Sequence, residues 1–206
     1  MQLSDPQIIR LIEETFNDGI ERALIKLTDV VDGETRVRVI TGVGGSDTIP
    51  LGFLINQNVT RNTVSIDLIF HTHPPTTVIE AKKRGYPEEI LKELDYLNSF
   101  PSDSDYVAAG SLADFYVNYD LGIFAVGTKE YLSGKIYFTY FPLRTVLNKQ
   151  DLLMKVSLEE QEAHDAFARG EVTLEEVLQV DFRDVEFFNR LTGTKRVGLE
   201  EVTVIV

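Results

Sequence analysis

The feature that most constrains the fold is a stretch of alternating apolar residues that runs into two prolines. In residues 63–70 every even-numbered position is apolar, and alternate residues of a strand share one face of a sheet. These positions are Val64, Ile66, Leu68 and Phe70. Pro74 and Pro75 must end the strand, because proline has no backbone N–H for ladder pairing. The pattern therefore predicts a core strand whose exit carries His71-Thr72-His73.

The segments before this strand predict a helix and a hairpin. Apolar residues repeat at helical spacing within residues 6–16, and Asn17-Asp18-Gly19 is a typical helix end. Residues 23–31 and 35–43 flank Asp32-Gly33, a dipeptide that tolerates the positive φ angles of a tight hairpin turn. The helix is expected to pack on the sheet to which the hairpin belongs.

The segments after the strand predict helices and then more strands. Residues 76–100 show helical spacing in two pieces, which Gly85 separates and Pro87 restarts. The second piece has one apolar stripe, formed by Ile90, Leu91, Leu94 and Leu97. The further predicted elements are a helix over 104–119 and strands over 121–126 and 136–141. We therefore expect an α/β fold, a mixed β-sheet flanked by helices.

Composition agrees with one domain plus an extension. The chain has 206 residues, 43% of them apolar and 26% charged, as in ordinary globular proteins. Acidic side chains become relatively more frequent after Asn148, so we expect a domain over residues 1–148, with residues 76–100 as a helical insertion, and an acidic, mostly helical extension over residues 149–206.

Short motifs organise the predicted extension. The patterns Ser157-x-x-Glu160 and Thr173-x-x-Glu176 are capping boxes, which predict two helix starts, and Gly170 is expected to end the first of these helices. Apolar residues 202–206 suggest an edge strand. The extension offers an acidic surface that could dock a basic partner or a second copy of the chain. We assign it no chemistry.

The charge balance limits the partners. With 20 basic and 33 acidic side chains the net charge is −13, which argues against binding to a phosphate backbone. No apolar stretch approaches 18 residues, and residues 1–6 lack the basic flank and apolar run of a signal peptide. We therefore expect a cytoplasmic protein that binds neither nucleic acid nor membrane.

Two histidines at the strand exit are the first sign of chemistry. The chain has no cysteine, which excludes thiol nucleophiles, iron–sulfur clusters and cysteine-type zinc sites, so any metal must be held by His, Asp or Glu. His71 and His73 share the parity opposite to Leu68 and Phe70 and would project side by side, close enough to bind one cation. Because polar residues gather at strand ends, the pair alone also fits a site without metal.

A third ligand is required, and Asp105 is the candidate. A helix that begins at Ser102 or Ser104 would direct its first-turn side chains back toward the sheet edge. The same residues also match a simple helix cap, in which Ser102 and Asp105 bond only to free backbone amides. Both interpretations stay open from the sequence.

Taken together, these residues resemble the signature of the JAMM (MPN-plus) metalloprotease family, His-x-His-Pro followed by Ser-x-x-Asp. The matching residues are His71, His73, Pro74, Ser102 and Asp105. The order of elements agrees over residues 6–142, although residues 75–100 intervene where the family usually has fewer than ten. The family adds a Glu between its first helix and first strand, where Glu21 stands. Glu34 is the alternative, at the predicted hairpin tip.

The resemblance implies a fold of the JAMM/MPN, cytidine-deaminase-like type and a Zn²⁺ ion held by His71, His73, Asp105 and a water. Glu21 would accept the proton of that water and deliver it to the leaving amine, while Ser102 would donate a hydrogen bond to the developing oxyanion. The implied reaction is hydrolysis of an amide or isopeptide bond. The expected substrate is a protein or peptide, with a ubiquitin-like C-terminal tail as the family's usual class.

Other classes of metal hydrolase also use a His-x-His pair, but few of them fit this sequence. Amidohydrolase barrels and metallo-β-lactamase-like enzymes also use His-x-His, but both need more histidines than the remaining His164, and a barrel usually needs about 250 residues. A non-catalytic protein-binding module of the same fold is the main alternative. The apolar stripe of the insertion would either cover the cleft as a lid or dock on the domain.

Overall fold

The computed structural model describes residues 2–45 and 50–202. The helices are α1 (Pro6–Asp18), α2 (Leu51–Asn58), α3 (Thr76–Lys83), α4 (Glu88–Leu97), α5 (Asp103–Phe115), α6 (Gln150–Ala168) and α7 (Leu174–Thr192). The strands are β1 (Arg22–Val31), β2 (Glu34–Val43), β3 (Thr63–His73), β4 (Asp120–Lys129), β5 (Ile136–Pro142) and β6 (Lys195–Gly198). Short 3₁₀ turns lie at Leu143–Val146 and Leu199–Glu201.

The strands form one mixed six-stranded sheet in the order β2-β1-β3-β4-β5-β6. The central strands β3 and β4 run parallel, and the other neighbouring pairs are antiparallel. Helices cover both faces: α1 packs against one apolar cluster, while α2, α5 and α7 pack against the other. The expected α/β fold, a mixed sheet flanked by helices, is confirmed.

The predicted first helix and hairpin are confirmed. Gly19 ends α1 in the left-handed region with φ 72°, and its amide N–H donates to the carbonyl oxygen of Thr15. Asp32 and Gly33 both take positive φ angles, 53° and 80°, at the turn between β1 and β2. This hairpin places the start of β1 beside the end of β3, with Ala23 opposite His71.

The predicted even-numbered apolar face of β3 is wrong in its first half. Val64 is 45% exposed, and Ile66 packs with Ile69 on the α5 side of the sheet, whereas Leu68 and Phe70 pack on the α1 side. The physical reason is a bulge at Asp67, where the register of the pairing with β1 shifts by one residue and the side-chain parity of β3 reverses.

Residues 76–100 contain two helices, α3 and α4, as predicted, with Gly85 between them at φ 81°. The buried residues of the apolar stripe on α4 pack against α3 and α7. This cluster contains Val78, Ala81, Ile90, Leu91, Leu94 and Leu178. Helix α5 then ends at Phe115 rather than at Tyr119.

Predictions for the C-terminal part have mixed outcomes. The capping box at Thr173 is confirmed, and Gly170 follows α6 with φ 74°. The predicted helix start at Ser157 is wrong, because α6 already begins at Gln150, where Leu153 packs into the core against α5. Val202 is not in a strand, and residues 203–206 lie outside the described residues.

Two elements were not predicted, the short helix α2 and the edge strand β6, which pairs with β5. Residues beyond 148 belong to the same sheet and core as the rest of the chain. Strand β6 pairs with β5, and Phe188 of α7 stacks on Tyr106 with ring centroids 4.1 Å apart. Among the described residues, no helix combines the length and the apolar character needed to cross a bilayer.

The bulge in β3 generates the first prediction. A Cβ atom added at Gly122 would lie 1.8 Å from the carbonyl oxygen of Asp67, a backbone atom that cannot move aside without breaking the ladder. We expect Gly122→Ala to lower the free energy of unfolding by about 2–3 kcal/mol or more in urea titrations.

The matched control is Gly52→Ala in α2, where the added Cβ would be 4.0 Å from its nearest neighbour. That substitution should be neutral or stabilising by up to about 1 kcal/mol, because alanine favours a helix over glycine. Equal stability of the two variants would contradict the proposed steric role of Gly122.

Candidate metal centre

The structure brings three predicted ligands together at the end of β3. The Nε2 atoms of His71 and His73 lie 3.0 Å apart. Asp105, in the first turn of α5, reaches both rings: its Oδ1 is 3.1 Å from Nε2 of His71 and its Oδ2 is 3.1 Å from Nε2 of His73. One nitrogen from each ring and one carboxylate oxygen thus converge on a single point.

Asp105 caps its helix as well as contacting the rings. Oδ2 accepts hydrogen bonds from the backbone N–H and the hydroxyl of Ser102, both at 2.8 Å, and the N–H of Asp105 donates back to the Ser102 hydroxyl at 3.3 Å. The two interpretations left open by the sequence are therefore not exclusive. The cap fixes the carboxylate in the orientation that meets the two imidazoles.

The three side chains are shielded from water. The His71 side chain is 1% exposed, and those of His73 and Asp105 are 11% and 16% exposed. Burial alone would raise the pKa of Asp105, but the charges and hydrogen bonds of His71 and His73 hold it well below its ordinary value. Asp105 is thus an anion at neutral pH, as a metal ligand must be.

The ring of His73 is oriented by Asp105 and by Asn98, the residue after α4. Burial would lower the pKa of His73, but the hydrogen bond and charge of Asp105, followed by the charge of Glu21, raise it. Its Nδ1 lies 3.1 Å from the carbonyl oxygen of Asn98, just after α4. A proton on Nδ1 that donates to this carbonyl leaves Nε2 with a lone pair directed at the cluster.

The donor set also fits a metal ion. The Nε2 atoms of His71 and His73 are 3.0 Å apart, and lone pairs on both of them can converge on one cation. With bonds of about 2.0–2.1 Å, ligands of a tetrahedral zinc ion lie about 3.3–3.4 Å apart, close to the separations here. The other nitrogen of His71, Nδ1, is buried without a hydrogen-bond partner among the described residues.

The two candidate glutamates are placed at opposite ends of the sheet. Glu21 immediately precedes β1, is 8% exposed and lines the same cleft as His73. Glu34 starts β2 at the hairpin tip, opposite Val31, and its side chain is 75% exposed. Only Glu21 therefore lies near the three ligands.

Thr72, between the two histidines, ties the strand exit to Glu21. Its side chain is fully buried, and its hydroxyl oxygen lies 2.6 Å from the hydroxyl of Thr15 in α1. The same oxygen accepts the backbone N–H of Arg22 at 2.9 Å. Because Arg22 follows Glu21 directly, these bonds hold the glutamate segment against β3.

An open cleft of about 370 Å³ extends from this site. Its near wall includes Glu21, His73 and Ser102, and Leu94 and Leu97 of α4 contribute apolar surface. Ser102 is thus placed at the cleft, although its hydroxyl also contacts Asp105 and, at 2.8 Å, the hydroxyl of Ser104.

The far wall of the cleft consists of side chains that sequence reasoning missed. They are Asp103, Glu160, His164, Asp181 and Val185. His164 belongs to the predicted extension, to which we assigned no chemistry; its side chain is 50% exposed and contacts Asp181 and Glu160. The spacing of Glu160 and His164, one turn apart on a helix, was the available signal.

Comparisons of the chain with protein-family models, with curated proteins and with solved structures give no match. Functional conclusions therefore rest on the residues of the site itself.

The network around Thr72 leads to a prediction about stability and metal content. Thr72→Val keeps the shape of the side chain but leaves the buried N–H of Arg22 without its acceptor, so we expect a loss of about 1–3 kcal/mol in unfolding free energy. Metal content should be retained, because the His71 and His73 side chains are unchanged. Urea titration and elemental analysis measure the two effects.

Thr41→Val is the matched control, since Thr41 is exposed on β2 and valine is equally compatible with a strand. It should change the unfolding free energy by less than about 0.5 kcal/mol. A Thr72→Val variant as stable as this control would show that the hydroxyl does not hold the two strands together.

Proposed function

We propose that the protein is a zinc-dependent amide hydrolase of the JAMM type. The observation that carries the proposal is the convergence of His71, His73 and Asp105 on one point, with Glu21 buried in the same cleft. Two imidazole nitrogens and one carboxylate oxygen form a typical ligand set of a catalytic zinc site, which leaves a fourth position for water or substrate.

The metal would supply Lewis-acid chemistry. His71, His73 and Asp105 would hold a Zn²⁺ ion, which would polarise a carbonyl oxygen and lower the pKa of a water molecule to about 7. The ligand set carries one negative charge, from Asp105, so the charge of the ion is only partly neutralised.

Glu21 serves as the general base and then as the general acid. As the water oxygen forms its bond to the carbonyl carbon, the Glu21 carboxylate accepts the proton that the water loses. When the carbon–nitrogen bond breaks, Glu21 donates this proton to the leaving amine, so one carboxyl group completes both transfers. Its position near His73 is secured by the backbone bonds of Arg22 to Thr72.

Ser102 contributes an O–H donor at the cleft. In the structure this hydroxyl donates to Oδ2 of Asp105. Rotation of the hydroxyl would direct the hydrogen to a substrate oxygen instead, as the oxyanion role requires, while the backbone N–H of Ser102 still holds Asp105.

The substrate is a protein or peptide, with the flexible C-terminal tail of a ubiquitin-like protein as the proposed class. The open cleft admits an extended chain, and Leu94 and Leu97 of the insertion provide apolar contacts along it. The remaining stripe packs on α3 and α7, so the insertion forms a fixed wall of the cleft rather than a detached cover.

The test compares two glutamates that differ in position. Glu21→Gln should retain zinc but lower kcat by about 10²–10⁴, because the amide cannot accept the proton. Glu34→Gln, at the distant hairpin tip, should leave both zinc content and kcat unchanged. The assay measures cleavage of ubiquitin-like fusions, isopeptide-linked conjugates and plain peptides by the zinc-loaded protein.

Equal kcat values for the two variants would refute the role of Glu21. A zinc-loaded wild-type chain without activity on the whole panel would contradict the hydrolase. A chain that binds no zinc at this site after zinc-replete purification would instead support a non-catalytic, protein-binding module.

A further inference from the structure

A second cluster of ligand-type side chains forms the far wall of the cleft. Glu160 and His164 lie one turn apart on α6, and Asp181 lies on α7. Nε2 of His164 is 3.0 Å from Oδ1 of Asp181 and 3.7 Å from Oε1 of Glu160. One ligand atom from each of the three residues therefore lies close to a common point.

Asp103 adds a buried oxygen to this cluster. It is the first residue of α5 and is 6% exposed, and its carboxyl group lies within hydrogen-bonding reach of Glu160. Its Oδ2 atom is buried and receives no N–H or O–H hydrogen bond from the described residues. Two carboxyl groups in such contact need either a shared proton or a cation between them.

The local charges favour a cation. Asp103, Glu160 and Asp181 place three carboxyl groups on this wall, and His164 can neutralise only one of them. Arg183 contacts Asp184 at 3.1 Å and Glu159 at 3.8 Å.

The placement of these residues depends on close packing of three helices. Gly110 lets α6 approach α5, since a Cβ atom there would lie 2.6 Å from Oε1 of Gln150 and 2.7 Å from Cδ1 of Leu153. Phe188 stacks on Tyr106 and fixes α7 against α5. The core therefore fixes the backbones of the three helices that carry the cluster.

We propose that Glu160, His164 and Asp181, with Asp103 beside them, bind a second divalent metal ion that faces the His71–His73–Asp105 site across the cleft. The mixture of one imidazole and several carboxylates suits Zn²⁺, Mn²⁺ or Co²⁺ better than a soft ion such as Cu⁺. The ion neutralises the acidic wall and offers a contact for an anionic group of a substrate, such as a carboxylate. Binding of a metal ion at this second site does not require that the proposed hydrolase activity be correct.

The test is the zinc stoichiometry of the full chain, measured by equilibrium dialysis against Zn²⁺ alone and by elemental analysis. The wild-type chain should bind two equivalents. Glu160→Gln combined with His164→Asn should bind one, with the second affinity weakened by about tenfold or more. His71→Ala combined with His73→Ala should also bind one, and the quadruple variant none.

Glu162→Gln is the matched control, because Glu162 is exposed on the same helix and the substitution removes the same charge. It should bind two equivalents, and circular dichroism should show that every variant is folded. The proposal is overturned if the Glu160/His164 variant binds as much zinc as the wild type. A wild-type chain with one equivalent, lost only in the Glu160/His164 variant, would support this site and refute the metal centre of the proposed hydrolase.

Discussion

The contact of one carboxylate with two imidazoles is the interaction on which the site depends. Asp105 joins the exit of β3 to the start of α5, and its two oxygens each reach one ring at 3.1 Å. The same carboxylate completes the cap of α5, so the geometry of the site and the start of the helix are determined together. A change at Ser102 or Asp105 must therefore affect both the fold and the chemistry.

Neighbouring residues from several helices and strands hold the candidate ligands in their orientations. The Thr72 side chain points away from the two histidines and hydrogen-bonds to Thr15 of α1 and to the backbone of Arg22 in β1. These bonds position Glu21, the residue before Arg22, at the cleft. Asn98, just after α4, offers its carbonyl to His73, while its side-chain amide donates to Thr128 on β4. Helix α4 thus contributes to the orientation of a candidate ligand as well as to the wall of the cleft.

Much of the candidate site could be predicted from the sequence, because its signals are short patterns of neighbouring residues. The histidine pair follows from strand parity and from the prolines after it, and Ser102 follows from its capping pattern; both signals extend over a few neighbouring residues. The prediction of the β3 face was wrong in its first half because a bulge depends on the partner strands, and Asp67 carries no local sign of it. The start of α6 was misjudged because packing of Leu153 on α5 overrides a capping pattern.

The sequence alone determined the strand exit with its two imidazoles, the helix cap at Ser102 and the absence of thiol chemistry, since these depend on residue type and short spacing. Only the tertiary structure decided that Asp105 meets both rings, that Glu21 rather than Glu34 lies beside them, and that side chains of α5, α6 and α7 form a second acidic wall. Such contacts join residues that are distant in the sequence, 17 positions for His164 and Asp181 and 32 for His73 and Asp105. They arise from core packing, which no local pattern records.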